Sequence, residues 1–480
     1  MTGNRQWPDY RVLPEPELVF DPLDGTKRST HPLEGLLTFG PYGQHLGGTV
    51  PNTIRVGLIA PASDAGAIPR LISQLGAAHR PTIRTDYLPR FPGFTNLFHA
   101  GLAVAEPAGR IELSRDLDAS LAVARRPHAV LAEALGTAVR AIALQRHAFD
   151  VVAIYLPDRW AAGFEGPPDE KFDLHDFLKG ILAPHGIPSQ LVREDTAGRK
   201  PDHCGVMWSL GIAFYAKAGG VPWKLYASDD SAAHIGLAYS LARNPDGSVR
   251  FVVCCSQVFD TDGTGLEFLA YQAQPDRVRV VGRNPYLDRE PMRAVIARSI
   301  ALYLNRKAGR MPRKMVVHKT TRFTPQEADG CYDALSKVDH IELVQVQEDA
   351  PWRAVVVDFE GRSSSLAPSA YPLKRGTLMH LGDYDLLLWT QGTTALAGRS
   401  TNYYKEGTGI PRPIMLKRWG GAAPAGEVAG DVLGLTKMNW NNDALYDFAP
   451  CTIRYSQVLA QVVKTMPGIT AQPYPVRLFM

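Results

Sequence analysis

Cysteine is scarce: the 480 residues hold five, at positions 204, 254, 255, 331 and 451, with no C-x-x-C spacing. That argues against a disulfide framework and against a cysteine-built zinc site, and for reduced thiols in a cytoplasmic protein. Cys254 and Cys255 adjoin on what reads as a strand, so they face opposite ways. Long apolar runs are also missing. None approaches the ~20 residues a membrane span needs, and MTGNRQWPDYRVLPEPELVF lacks the charged-then-apolar order of a signal peptide. No membrane contact is expected. Charge of one sign is weak as well, with 52 Lys and Arg against 48 Asp and Glu and a pI near 8.7. That excess does not by itself announce a nucleic-acid protein. The 43 Gly and 37 Pro follow no period, which excludes collagen-like, coiled-coil and solenoid chains. Neither G-x-G-x-x-G nor G-x-S-x-G occurs, so a small-molecule enzyme using His175 or His318 as base lacks its usual phosphate loop or nucleophile.

What is present is an ordinary globular composition, 45% hydrophobic and 21% charged, in a chain long enough for two domains. Residues 1–50 read as an extended lead-in. From 51 to 225, strands such as TIRVGLIAP and DVVAIYLP alternate with helices such as VLAEALGTAVRAIALQRHA and LHDFLKGILAPHG, the pattern of an α/β domain with a parallel, Rossmann-like sheet. From 226 to 480 a second α/β domain begins with strands around the turn NPDG and a third strand, GLEFLAYQ. The helix REPMRAVIARSIALYLNRKAG and the strand RKMVVHKTT follow. A three-strand meander, a helix and a central strand is the order of a ribonuclease-H-like sheet.

One constellation suits a terminal phosphate. His175 and Lys179 are four apart on a predicted helix and leave the same face. Gln190 follows the turn HGIPS, and Lys217 ends the helix DHCGVMWSLGIAFYAKAGG. Two cationic or proton-donating groups, an amide and a second lysine match a group carrying about −1.5 to −2 charges and three acceptor oxygens. Each residue also has a plainer role. Lys217, before Gly219 and Gly220, complements a helix dipole, and His/Lys pairs commonly line a solvated face.

The segments carrying these residues resemble one family. AKAGGVPWKL resembles the junction between the MID and PIWI domains of Argonaute proteins, and HDFLKGILAPHGIPSQ resembles the MID motif for a guide 5′ end. PLEGLLTFGPYG resembles the segment before MID, MVVHKTTRFTPQEADG the PIWI strand-loop-helix, and LTKMNWNN with APCTIRYSQVLAQVV the closing PIWI helix. The matches fall in the family's order from residue 33 onward. Starting at MID, the chain resembles the short prokaryotic Argonautes, which lack N and PAZ domains.

The resemblance implies roles for individual residues. His175, in place of a more common Tyr, Lys179, Gln190 and Lys217 match the guide 5′-phosphate contacts. In many prokaryotic members Mg²⁺ bridges that phosphate to the C-terminal carboxylate, here Met480, with Gln190 beside it; VRLFM would tuck between the domains to deliver it. A ribonuclease-H-like site needs several carboxylates to hold two Mg²⁺ ions. Ala238, Thr320 and Gln457 stand where the family places those ligands, so a domain that binds without cutting is expected. Arg322, Lys437, Arg454 and Lys464 are candidate contacts to the nucleic-acid backbone.

A cleavage-inactive short Argonaute implies partners: a guide RNA, a complementary target DNA, and an APAZ-domain protein fused to a sirtuin-like, TIR or nuclease effector. In that reading the chain is no enzyme itself, and recognition of invading DNA switches the partner on. The competing reading is an active guide-directed endonuclease with displaced carboxylates, for which Asp229 and Asp230 are the candidates.

Overall fold

The computed structural model describes residues 9–47, 50–83, 85, 87–168, 170, 172–197, 203–227, 231–243, 249–260, 265–359, 366–369, 371–394, 409–441, 446–465 and 473–480. Asp229 and Asp230 lie outside the described residues, as does the side chain of Lys464. Among the described residues no helix is long and apolar enough to cross a membrane.

The first sheet consists of β1 (Thr53–Pro61), β2 (Gly101–Val104), β3 (Arg110–Leu113), β4 (Val151–Leu156) and β5 (Ser189–Arg193), all paired parallel. Central β1 pairs with β2 and β3 on one side and with β4 on the other; β4 then pairs with β5. Parallel neighbours need crossovers, and helices α1 (Ala67–Gly76), α2 (Pro127–Ala143), α3 (Leu174–Leu182) and α4 (His203–Lys217) lie between or after the strands. Every residue of β4 is buried, because helices cover both faces. Val151, Ala153 and Tyr155 face α1 and α4, while Val152, Ile154 and Leu156 face α2 and α3.

The second sheet opens with an antiparallel meander, β6 (Ala232–Arg243), β7 (Val249–Asp260) and β8 (Gly265–Ala273). A small hairpin, β9 (Val278–Val281) and β10 (Asn284–Leu287), leads into α5 (Arg289–Arg306). Strand β11 (Lys314–Lys319) pairs parallel with β6 and, after α6 (Pro325–Ala334), with β12 (His340–Gln347). Strands β13 (Thr377–His380), β14 (Asp385–Leu388) and β15 (Ile414–Gly420) extend the sheet beyond β12. Helices α7 (Ala425–Leu435) and α8 (Cys451–Thr465) close the fold. This is a Rossmann-like domain followed by a ribonuclease-H-like one.

Helices cover the two faces of the meander differently. Ile235, Leu237, Val258 and Ala273 pack under α5, whereas Ala238, Phe259, Phe268 and Ala270 pack under α8. At Gly236 a Cβ would lie 1.9 Å from the carbonyl oxygen of Thr452, so only glycine lets α8 dock this closely. Helix α8 also touches α3, and one apolar cluster runs from α4 through α8 to Phe479 and Met480.

The lead-in is more structured than an extended segment. Residues Pro32–Phe39 form a helix whose first turn is capped by His31 Nδ1, which accepts from the Glu34 amide at 3.1 Å. Tyr10–Val12 adds an edge strand beside β13, and Leu18–Val19 pairs with Lys224–Leu225. Glu15 fixes the segment by reaching Arg375 at 3.0 Å and Lys437 at 2.7 Å.

A charged pair sits inside the second domain. Lys319 and Glu327 are both fully buried and meet at 2.6 Å. Glu327 also accepts from Tyr239 Oη at 2.9 Å, from the Leu287 amide at 3.2 Å and from the Thr324 amide at 3.0 Å. The rings of Tyr239, Tyr286 and Phe323 lie 5.1–5.2 Å from the ammonium. Breaking such a pair strands a charge. Lys319→Met alone should cost about 3–5 kcal/mol, measured by denaturant unfolding, while the double variant with Glu327→Leu should recover much of the loss.

Candidate functional site

Helix α3 begins at Asp173, whose side chain accepts from the Asp176 amide at 3.0 Å, and this cap sets which residues turn inward. Leu174, Leu178 and Leu182 pack on the sheet, and Lys179 shares the buried side. The Lys179 ammonium donates to the Ser189 carbonyl at 2.9 Å and to a main-chain oxygen of Met480, the last residue. One strand residue on, Gln190 Oε1 accepts from Lys217 Nζ, and Lys217 also donates to Asn441 Oδ1 at 3.2 Å. Lys217 stands in the last turn of α4, where the chain leaves the helix through Gly219 and Gly220.

Lys179 and Lys217 are 2% and 1% exposed. Among the described residues no Asp or Glu side chain pairs with either. Burial alone brings Lys179 down to about 7. Burial, and after it the charge of Lys179, holds Lys217 well below the ordinary lysine range. An ammonium removed from water needs a negative partner or it gives up its proton. The arrangement is a place for an anion, walled by the Ser189 carbonyl, Gln190 Oε1, Asn441 Oδ1 and a main-chain oxygen of Met480.

The last residues close this place. Leu478, Phe479 and Met480 are buried, and a short 3₁₀ turn spans Val476–Leu478. The Phe479 ring meets Phe268 edge-on at 5.2 Å and Tyr474 at 5.9 Å. Tyr474 exchanges backbone hydrogen bonds with Phe268 at 2.9 and 3.1 Å. The tail is anchored to β8 and lies between the two domains.

Of the four residues matched to a phosphate site, Lys179, Gln190 and Lys217 converge. His175 does not join them. It is exposed on the first turn of α3, with Nδ1 3.2 Å from Asp176 Oδ1. Asp173, His175 and Asp176 bring their ligating atoms within 4.8 Å of one another, a small acidic group at the start of α3. Sequence reasoning missed two participants. Asn441 lies in the quoted MNWNN stretch without a role assigned to it, and the Ser189 carbonyl carries no sequence signal.

The backbone-contact candidates fare unevenly. Lys437 needs correction: it is 2% exposed and its ammonium is consumed internally by Glu15, the Pro16 carbonyl and the Thr30 carbonyl at 2.8 Å. Burial lowers it to about 8. It ties the lead-in to the second domain and cannot reach a nucleic-acid backbone. Arg454 is half-buried between Asp447 at 3.1 Å and Glu348 at 3.4 Å. Arg322 is exposed, its guanidinium 5.8 Å from the Tyr286 ring. For Lys464 only the backbone, within α8, is described.

The positions matched to metal ligands lie at one end of the sheet. Ala238 and Thr320 each follow directly on the Leu237–Lys319 pair of β6 and β11. Ala238 is buried in the apolar cluster under α8. Gln457, on α8, donates to Glu348 Oε1 at 3.0 Å. His318 is fully buried, with Nδ1 2.9 Å from the Thr452 hydroxyl, and burial lowers it to about 3, so it cannot serve an external substrate as base.

No protein-family model matches the chain, and no curated protein matches it. Solved structures do. The chain is similar over 98% of its length to Clostridium butyricum Argonaute bound to a guide DNA and a 19-mer target DNA, with a TM-score of 0.63 and 15% identity. It is similar over 99% to the crystal structure of A. aeolicus Argonaute, with a TM-score of 0.61 and 16% identity, and over 98% to Aa-Ago with externally bound siRNA, with 0.62 and 16%. It covers 55–56% of those chains, so it spans about half their length. At such identities the likeness fixes the fold: the architecture is that of Argonaute MID and PIWI domains.

The depressed Lys179 sets a pH dependence. Its folded value, about 7, lies below the ordinary 10.5, so between those values unfolding takes up a proton and stability rises with pH. In chemical denaturation across that window, Lys179→Met should remove part of the rise seen in the ligand-free wild type.

Proposed function

We propose that this chain is a guide-binding, cleavage-inactive Argonaute of the short prokaryotic kind. The observation that carries the reading is the pair of buried lysine ammoniums, without a carboxylate side chain among the described residues, gathered around Gln190 and Met480. The guide's 5′ phosphate supplies the missing charge. Its oxygens accept from Lys179 and Lys217 in charge-assisted hydrogen bonds, and the Gln190 amide can add a third. Asn441 steers Lys217 from the PIWI side, so both domains hold the phosphate.

Mg²⁺ fits this site on one condition. Gln190 Oε1 and the terminal carboxylate of Met480 are hard oxygen donors of the type Mg²⁺ selects. Both are engaged by ammonium groups, whose charge opposes a lone divalent cation. A bound phosphate would reverse that balance, and Gln190 and Met480 would then hold an Mg²⁺ that neutralises phosphate charge.

Pairing between the guide, an RNA in this reading, and complementary DNA then reads sequence, while the protein holds backbone. Ala238, Thr320 and Gln457 offer a methyl, a hydroxyl and an amide in place of metal-binding carboxylates, so the bound target stays whole. The output passes to an APAZ-domain partner carrying a sirtuin-like, TIR or nuclease effector, which acts when invading DNA is recognised. That partner follows from the resemblance of the quoted motifs to short Argonautes.

The phosphate assignment is tested with paired guides. Lys179→Ala or Lys217→Ala should weaken a 5′-phosphorylated RNA by roughly 1.5–3 kcal/mol and a 5′-hydroxyl RNA far less. Equal losses for both would reduce the lysines to general attraction. Wild-type protein with guide and matched target should leave the target uncut in Mg²⁺ and in Mn²⁺; a discrete guide-registered cut removes the cleavage-inactive part of the reading.

A further inference from the structure

Charge is unevenly distributed along the chain. Between Arg277 and Lys314 there are eleven Lys and Arg against two acidic residues, an excess of nine where the whole chain has an excess of four. The rest of the molecule is therefore net acidic. The run covers the β9–β10 hairpin and α5, which pack against the second sheet on the side away from α8.

Much of α5 answers its own charge. Arg289 pairs with Asp333 at 2.6 Å, Arg293 with Glu290 at 3.0 Å, Lys307 with Asp260 at 2.5 Å, and Lys314 with Glu427 and Asp431. The hairpin differs. Arg277, Arg279 and Arg283 are exposed, and no described carboxylate pairs with any of them. Alternation turns Arg279 outward from β9 while Val278 and Val280 are half-buried, and exposed Arg277 ends the short turn that precedes the strand. Arg283 stands in the two-residue turn after Gly282, whose φ of 63° suits the first position of a glycine-led hairpin turn.

The hairpin does not stand alone. Arg279 is the cross-strand partner of Tyr286, and both line a cavity of about 490 Å³ bounded below by Thr324, Pro325 and Gln326. Arg322 extends over the same Tyr286 ring from the loop after β11, two residues past Thr320. Arg279 and Arg322 thus both lie beside Tyr286, Arg277 and Arg283 are exposed at the foot and tip of the same hairpin, and the ammonium of the buried Lys319–Glu327 pair lies 5.1 Å from the Tyr286 ring. Guanidiniums bind phosphate oxygens bidentately and are weakly hydrated, which suits a polyanion's backbone more than isolated anions.

We propose that Arg277, Arg279, Arg283 and Arg322 form a second nucleic-acid contact, a clamp on the sugar-phosphate backbone at the end of the sheet where Ala238 and Thr320 lie. It rests on the proposed nucleic-acid role but not on the 5′-phosphate site, and it reads no base. Tyr286 is the cross-strand partner of Arg279 and lies under Arg322, and the hairpin tip gives Arg283 reach along the strand. In a site without metal-binding carboxylates, these arginines hold the backbone where cleaving relatives of the fold would need metal ions.

The clamp is tested on full-length protein with a fluorescent single-stranded oligonucleotide bearing a 5′ hydroxyl, and in parallel with its 5′-phosphorylated form. Each arginine that releases a counterion from a single strand contributes roughly 0.7 to the slope of log affinity against log salt. Arg277→Ala, Arg279→Ala and Arg283→Ala combined should flatten that slope by about 2 and lower 5′-hydroxyl binding at least about tenfold at low salt, with the ratio between the two forms unchanged. The matching Lys variants should keep most of the slope, which a loss of folding would not allow. Unchanged affinity and slope in the Ala variant, while wild type still prefers the 5′ phosphate, would overturn the clamp and leave the 5′ site standing. Loss of a co-purifying acidic protein with nucleic-acid binding intact would overturn it too, and assign the surface to that protein. A wild type that ignores the 5′ phosphate but shows the predicted arginine dependence would sink the 5′-site reading alone.

Discussion

Two positive charges held out of water constrain this molecule more than any other feature. Lys179 and Lys217 come from different helices, face each other closely enough for one to depress the other, and have only neutral acceptors and Met480 around them. Such a site is incompatible with full protonation unless an anion arrives. It also joins the domains, because α3, β5 and α4 supply the lysines and Gln190 while Asn441 and the tail come from beyond the second sheet. Helix α8 also docks on α3, and Phe479, beside Met480, packs on Phe268 of the second sheet.

How much of this could be read from the sequence depended on which forces leave a periodic trace. A strand such as β4, buried on both faces, shows as an unbroken apolar run, and α2 shows as spaced leucines and alanines; burial wrote both patterns. The site residues were harder. Spacing put His175 and Lys179 on one helical side, yet only Lys179 turned inward, because the Asp173 cap and the three leucines set the helix rotation. Lys437 went wrong for a related reason. A lysine's sequence context says nothing of whether a distant glutamate, Glu15, waits beneath it. The β9–β10 hairpin was missed although RVRVVGRNPYL carries a Gly-led turn, because its two strands are only four residues each, too short for a clear period-two signal.

The lead-in shows how a short segment without its own core is held. Its apolar residues Leu18, Phe20, Leu33 and Leu36 join the cluster that spans both domains. Half-buried Glu15 is held below the ordinary carboxylate range by Arg375 and Lys437 in spite of the desolvation that opposes it. Arg375 in turn donates to the Leu433 carbonyl at 3.0 Å and to Thr436 at 2.8 Å, so the lead-in is keyed to the end of α7. Charge pairing here does a structural job, and it accounts for a lysine and an arginine that would otherwise suggest binding surface.

The same distinction bears on the end of the second sheet. Glu348 is the carboxylate that touches Gln457, and Arg454 lies 3.4 Å from one of its oxygens while the Gln457 amide donates to the other. A divalent ion binding there would have to dislodge a guanidinium and an amide, both fixed on one face of α8, with Asp447 holding Arg454 from the other side. The neighbouring position, Ala238, is sealed into apolar packing under that helix. Two-metal chemistry needs ligands that converge on open space. Here the local groups around Glu348 and Ala238 already satisfy one another and leave these two positions no open space to share.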